Sequence, residues 1–280
     1  MINENDLNNI EKSLSESRIN TSKEVIKPPS ILSIREVGVS NIKEKRLFTL
    51  GNFSCIKGKM KAKKTFLLSM LTSSIIAGND YSNTFIGTLP DGKKLVVYID
   101  TEQGDWDSWN CISRIERMAG TKDNLLAFNL RPFTPIERCE MIEFIFNKYR
   151  EKIGLMIIDG VADLVSELNS ELEATRVTSL LLKYSYEFNS HISLVIHENK
   201  MNDFATGHIG SAVMKKAEII ISVTKCKNIQ DSSDVACDYS RGQGFEPFVM
   251  TINEHGYPYV NNSAVDKQKY KEVDEDIAPF

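Results

Sequence analysis

The residues best suited to do chemistry lie in one run, Gly58-Lys59-Met60-Lys61-Ala62-Lys63-Lys64-Thr65. It fills every fixed position of the phosphate-binding pattern G-x-x-x-x-G-K-[ST] except one, where Lys63 stands in place of the second glycine. An apolar run precedes it and a helical run of small and apolar residues follows. At such a strand-to-helix turn the backbone N–H groups converge on an anion, and the helix dipole favours negative charge. Gly58, Lys59, Lys61, Ala62, Lys63 and Phe66 would then surround the phosphates of ATP, with Lys64 reaching the β and γ phosphates. The Thr65 hydroxyl would ligate Mg2+. The second glycine of the pattern commonly permits a close backbone approach or a positive φ, either of which a side chain such as that of Lys63 resists. Five lysines between Lys57 and Lys64 also allow a nucleic-acid patch or a merely solvated basic turn.

Acidic residues at the ends of apolar runs supply the complementary chemistry. Leu155-Met156-Ile157-Ile158 ends in Asp159, a carboxylate placed to hold Mg2+ together with Thr65. Leu95 to Ile99 leads into Asp100-Thr101-Glu102-Gln103-Gly104, where Glu102 could accept a proton from a water attacking the γ-phosphate. Ser193-Leu194-Val195-Ile196 ends in His197, a polar group able to hydrogen-bond a phosphate. Each of these has a plainer reading as turn chemistry, a solvated loop acid or a structural histidine.

The elements that must position these groups alternate. Strands are expected over Phe48 to Ile56, Leu95 to Asp100, Leu125 to Leu130, Leu155 to Ile158 and Ser193 to Ile196. Helices are expected over Lys64 to Ile76, Ser108 to Met118, Thr134 to about Tyr149 and Glu171 to Phe188. Thr134-Pro135-Ile136-Glu137 has capping-box spacing with proline at the first helical position. Such alternation implies right-handed crossovers and an α/β fold with a mainly parallel sheet flanked by helices. Glu218 to Thr224, Asp234 to Ser240 and Phe248 to Ile252 then read as consecutive antiparallel strands added at the C-terminal edge. Residues 1–29 read as a polar segment and linker, with Leu7, Ile10 and Leu14 at helical spacing before Pro28-Pro29; a frayed tail is the alternative. Residues 30–260 form the main domain, and 261–280 a polar acidic tail.

Composition narrows the functional classes. Over 280 residues, 34 Lys and Arg face 38 Asp and Glu, a net charge of -4, so any nucleic-acid contact must be a local patch. No apolar run approaches the roughly 20 residues that span a bilayer, and the polar N-terminus does not resemble a signal peptide. The expectation is a cytoplasmic protein without membrane contact. Five scattered cysteines without C-x-x-C spacing argue against a zinc site or disulfide framework.

Taken together, these residues resemble the RecA-like P-loop ATPases, most closely the RepA-like hexameric replicative helicases of plasmids and mobile elements. The resemblance covers about residues 30 to 260. It is carried by Gly51-Asn52-Phe53-Ser54, the phosphate loop, Tyr98 to Gln103, Ile157 to Gly160, His208-Ile209-Gly210-Ser211, Lys216-Ala217-Glu218, and Ser240-Arg241 with Phe245-Glu246-Pro247-Phe248. It implies a RecA-like core whose sensor strand, ending at His197, lies beside the phosphate-loop strand. Glu102 would be the catalytic base, Asp159 the magnesium acid, and Arg241 a finger reaching the ATP of a neighbouring subunit in a homo-oligomeric ring such as a hexamer. The loops Asp163 to Ser170 and Lys200 to Gly210 would face a channel for single-stranded DNA. Tyr239 stands where replicative helicases often carry a lysine, and Lys200 is the chief cation of the channel loops. A nucleotide-gated assembly protein with little turnover is the alternative function.

Overall fold

The computed structural model describes residues 4–37, 42–78, 80–81, 84–198 and 207–261. In chain order the elements are α1 (Glu4–Ser17), β1 (Ser30–Val37), β2 (Ile42–Thr49), β3 (Phe53–Gly58), α2 (Lys64–Ala77), β4 (Asp80–Tyr81) and β5 (Phe85–Gly87). They continue with β6 (Leu95–Asp100), α3 (Asp105–Ala119), β7 (Leu125–Asn129), α4 (Pro135–Lys148), β8 (Ile153–Asp159), a 3-10 turn (Val161–Leu164) and α5 (Glu171–Glu187). The last are β9 (His191–His197), α6 (Gly207–Lys216), β10 (Ile219–Lys225), β11 (Ser232–Ser240), β12 (Phe248–Ile252) and β13 (Pro258–Val260).

The central sheet runs β13-β12-β11-β10-β3-β9-β8-β6-β7. From β10 to β7 every pairing is parallel, and β11, β12 and β13 extend the edge antiparallel, so the expected α/β architecture is present. Strands covered on both faces can be apolar throughout, and every residue of β8 is buried. One face packs Leu67, Leu71 and Ile75 of α2 and Ile115 of α3 into a common core. The other face packs Phe146 of α4, Val177 and Leu181 of α5, and Ile209 and Val213 of α6. The capping box at Thr134 forms as the spacing predicts. Gly78 and Gly120, both in the left-handed region, end α2 and α3.

One expected strand is two. The apolar run Phe48 to Ile56 breaks at Leu50–Asn52, where Gly51 takes φ +77° and reverses the chain. Phe48 thus belongs to a second sheet, ordered β2-β1-β5-β4, which the sequence reading does not contain. Ile31, Leu32, Leu47 and Phe48 of that sheet join the α2 core, so their burial has the same driving force as the main sheet's. The turn falls at Gly51-Asn52, a local turn signal that a single-strand reading passes over. At the N-terminus a helix does form, and Leu7, Ile10 and Leu14 lie exposed on it. The acidic tail, beyond residue 261, lies outside the described residues. No helix of the described residues is long and apolar enough to cross a membrane. All five cysteines are free thiols, four of them buried.

Parallel register decides what meets what. Gly58 lies opposite His197, Asp159 opposite Val195, and Asp100 opposite Asp159. The carboxyl ends of β3, β9, β8 and β6 therefore share one edge of the sheet, the edge at which open α/β sheets form their ligand crevice.

Candidate functional site

A cleft of about 680 Å³ opens at that edge, lined by Lys61 to Phe66 of the candidate phosphate loop, Glu102, Asp159 and His197. Its floor is the turn from β3 to α2. Gly58 is required there by close approach, because a Cβ would stand 2.3 Å from the Val223 carbonyl oxygen of β10. Lys63, the residue in the glycine position, takes φ +67° and ψ +30°, and Lys61 takes φ +64°. The chain adopts the left-handed turn without a glycine, at a cost of about 1–2 kcal/mol per residue. Lys63 Nζ meets Asp231 at 3.2 Å, and the Ser233 hydroxyl donates to the Ala62 carbonyl at 3.0 Å, so β11 braces the loop from outside. Lys59, beside them, is exposed.

Lys64, the first residue of α2, points back over the loop. Its buried ammonium donates to the carbonyls of Gly58 at 2.9 Å and Lys59 at 3.3 Å, and to His197 Nδ1 at 2.9 Å. Lys64 offers only protons, so Nδ1 accepts and Nε2 carries the hydrogen given to Glu102 Oε2 at 2.8 Å. Burial holds the Lys64 ammonium below the ordinary lysine range, against the pull of Asp159, Glu102 and Glu198. The His197 hydrogen bond holds Glu102 below the usual carboxylate range, which keeps it ionised. Two residues of the expected site are thus joined by a third, His197.

Asp159 is buried at the inner wall of the cleft. Tyr98 donates to its Oδ2 at 2.7 Å and the Thr65 hydroxyl lies 3.4 Å from the same oxygen. Burial nevertheless pushes its carboxyl up to about 6, helped by the nearby charges of Asp100 and Glu102. A hydroxyl and a carboxylate facing one another are hard oxygen donors suited to Mg2+, which takes few protein ligands and fills its shell with water and phosphate oxygens. No group of three or more His, Cys, Asp or Glu side chains among the described residues could hold a metal by itself.

Asp100, which precedes the candidate base, shapes the loop. Its Oδ1 accepts from the N–H groups of Glu102 and Gln103 at 3.0 and 2.9 Å, and its Oδ2 from Ser108 at 2.7 Å. Thr101 ties that loop to Asp163 at 2.9 Å, across Gly160, where a Cβ would lie 2.3 Å from the Thr101 hydroxyl.

The remaining wall was not foreseen. Asp107, Asn110, Arg114 and Arg117 of α3 line the cleft at helical spacing, as do His255 to Tyr257 from the turn between β12 and β13. The Arg114 guanidinium lies 4.0 Å over the Phe66 ring and donates to Ser69 Oγ at 3.0 Å. The polar stripe on α3 was readable; the C-terminal turn carries no motif and reaches the cleft only by sheet pairing.

Arg241 is elsewhere. Its N–H donates to the Glu218 carbonyl and its guanidinium to the Lys216 carbonyl, both at 2.8 Å, while the Glu218 N–H donates to Phe53 at the start of β3. The six residues of β3 separate that point from the phosphate loop by about 17 Å, so Arg241 does not join the cleft of its own copy. The two expected channel loops do meet: His208 N–H donates to the Leu168 carbonyl at 2.8 Å. The loop Asp163 to Ser170 carries Asp163 and Glu167 but no lysine or arginine. Lys200 and the rest of 199–206 lie outside the described residues.

Compared with known proteins, the sequence matches no family model and no curated relative. The likeness to RecA-like ATPases therefore rests on the motifs quoted above.

Lys63→Gly should relieve the left-handed strain and raise stability by about 1 kcal/mol, net of the few tenths lost with the exposed Asp231 pair. Lys63→Ala, which keeps the strain, should not; urea midpoints of the two variants compare them. The raised Asp159 carboxyl has its own signature. Between about pH 4 and 6 the folded state holds a proton that the unfolded state releases, so this group's contribution to stability falls as pH rises and stays low above pH 6. Asp159→Asn should therefore be more stable than wild type at pH 7, by up to about 3 kcal/mol, with the difference vanishing below pH 4. Denaturant titrations across that range read it directly.

Proposed function

We propose that the chain binds ATP with Mg2+ in this cleft and hydrolyses it as a RecA-like ring ATPase. The process would be the replication or mobilisation of a plasmid or mobile element, as a DNA helicase or DNA-dependent ATPase. The observation that carries the reading is the chain Lys64–His197–Glu102 set against Thr65 and Asp159. It joins a cation, a polar relay, an ionised base and a pair of magnesium-type oxygens at the head of α2 and the ends of adjacent strands.

In this mechanism the loop N–H groups and Lys64 hold the β and γ phosphates. Thr65 and Asp159 hold Mg2+, which when bound neutralises phosphate charge. Glu102, ionised and anchored by Asp100 through its backbone N–H, accepts the proton of the attacking water. His197 holds the carboxylate by its Nε2 hydrogen while its Nδ1 stays on Lys64, so a displacement at the phosphate end is felt at the base. Arg241 would supply charge to the γ-phosphate of a second copy, since its own loop is out of reach.

The acidic loop Asp163 to Ser170 favours a second reading, nucleotide-gated assembly with little turnover, because phosphodiester backbones bind chiefly through Lys and Arg. ATP turnover measured with and without single-stranded DNA separates the two. A several-fold stimulation supports the motor; ATP-dependent assembly with negligible turnover supports the alternative.

Lys64→Ala should lose ATP binding, and Glu102→Gln should keep it while turning over about 10² to 10⁴ times more slowly. Calorimetric titration and a phosphate-release assay measure these; near-normal turnover of Glu102→Gln would give the base role to another group. Arg241→Ala should bind ATP and lose about 10³ or more in rate. Mixed with Lys64→Ala, it should recover part of that rate through interfaces that pair an intact loop with an intact finger. No recovery in demonstrably mixed assemblies would refute the trans role.

A further inference from the structure

Strand β6 alternates its faces, so Val96 and Tyr98 join the core on the side of α2 and α3 while Val97 and Ile99 join the other. Tyr98 is 1% exposed and does not line the cleft. Its hydroxyl lies behind the cleft wall, where it donates to Asp159 Oδ2 at 2.7 Å and accepts from Cys111 Sγ at 3.6 Å. The Cys111 thiol is also 3.8 Å from Ser69 Oγ, and Ser69 donates to the Thr65 carbonyl at 2.8 Å. A buried row of phenol, thiol and hydroxyl thus backs the two oxygen donors, Asp159 and Thr65.

The distances decide which group holds the carboxylate. The Thr65 hydroxyl is 3.4 Å from Oδ2, at the outer limit of a hydrogen bond, whereas the phenol at 2.7 Å makes a short one. Asp100, the direct neighbour of Asp159 across the β6–β8 pairing, has no hydrogen to give and spends its own oxygens on Glu102, Gln103 and Ser108. Asp159 Oδ1 accepts no hydrogen bond from the described residues and stays accessible where Asp159 lines the cleft. The last torsion of a carboxylate is soft, with broad two-fold wells. Without an anchor at Oδ2, the two oxygens could exchange places or turn from the cleft.

We infer that Tyr98 is a positioning residue for the cation: by pinning Oδ2 from behind, it keeps Oδ1 of Asp159 facing the cleft. The inference rests on the nucleotide reading above and adds to that site a group that touches neither nucleotide nor metal. A phenol suits the task, because it gives one hydrogen in a set direction and, enclosed by core side chains, cannot swing away. If the hydrogen bond served only to satisfy a buried phenol, its loss would change stability and leave the cation untouched. Outer partners of a ligating carboxylate, by contrast, typically carry about 10- to 100-fold of the affinity for the metal.

Mn2+, which shares the oxygen preference of Mg2+, is the probe, read by electron paramagnetic resonance in the presence of ADP. Wild type and Tyr98→Phe should bind ADP equally well in EDTA by calorimetry, whereas Tyr98→Phe should bind Mn2+ in the ADP complex about tenfold or more weakly. In turnover assays the same variant should need about tenfold more Mg2+ for half-maximal rate and regain most of the rate once Mg2+ saturates. Tyr98→Met, whose flexible side chain fills similar space without a hydroxyl, should behave alike and keeps the test decisive should the Phe variant misfold. Urea midpoints show which variants fold. Cys111→Ala removes the thiol and leaves the phenol on Asp159, so it should bind Mn2+ as wild type does. Unchanged Mn2+ affinity in a folded Tyr98 variant, or an equal loss in Cys111→Ala, would overturn the role of the phenol. Wild type that binds ADP but no Mn2+ would overturn it too. Wild type that binds no ADP in EDTA or with metal would instead bring down the nucleotide reading, and this inference with it.

Discussion

The cleft depends on the parallel register of four strands. With β3, β9, β8 and β6 side by side in one direction, residues that lie up to 139 positions apart, such as Gly58 and His197, become neighbours at one edge. A one-residue slip in a strand would turn its end group to the opposite face. The register is held by burial on both faces, because β8 and β9 are buried almost throughout and any slip would expose or crowd them. Everything chemical at the site is then a short side chain's reach from a strand end.

That edge is electrostatically costly in its own right. Asp159 is buried with one phenol and one distant hydroxyl as partners, and the Lys64 ammonium is buried against carbonyls and an imidazole. Both groups are desolvated in the charged form, and the penalty shows as a carboxyl raised toward neutrality and an ammonium lowered from its ordinary range. A fold that keeps two such groups, and adds left-handed Lys61 and Lys63 beside them, concentrates unfavourable terms where an incoming anion and cation would relieve them. Glu102 is spared, because His197 gives its carboxylate a hydrogen bond.

The far end of β3 is organised differently. Glu218 accepts both the N–H and the hydroxyl of Thr49, at 2.8 and 2.6 Å, and the buried His191 bonds the Thr49 carbonyl at 2.9 Å while stacking on Phe48. Burial pushes the His191 imidazole down to about 3, so it remains a neutral structural group at any physiological pH. This cluster ties the small sheet to the large one and fixes the strand from which Arg241 departs. The turn from β3 to α2 follows the carboxyl end of β3, whereas Arg241 follows β11, two strands away and at the opposite edge of the sheet.

Features legible in the sequence were those with local causes. The capping box at Thr134, the glycine stops of α2 and α3, the strand-to-helix turn after β3 and the acids closing apolar runs each depend on a few consecutive residues. Their conformations follow from backbone sterics and hydrogen bonding nearby. Tertiary structure decided the rest. The break in the run Phe48 to Ile56 is signalled locally by Gly51-Asn52, but which sheet takes Phe48 depended on its long-range pairing with β1. The conformation of Lys63 depended on β11 bracing the loop, the cleft-facing role of Arg114 and Tyr257 on helix and sheet packing, and the remoteness of Arg241 on the antiparallel path of β11. Residue types and short spacings determine which groups can do chemistry, but long-range strand pairing, driven by burial, determines which of them meet.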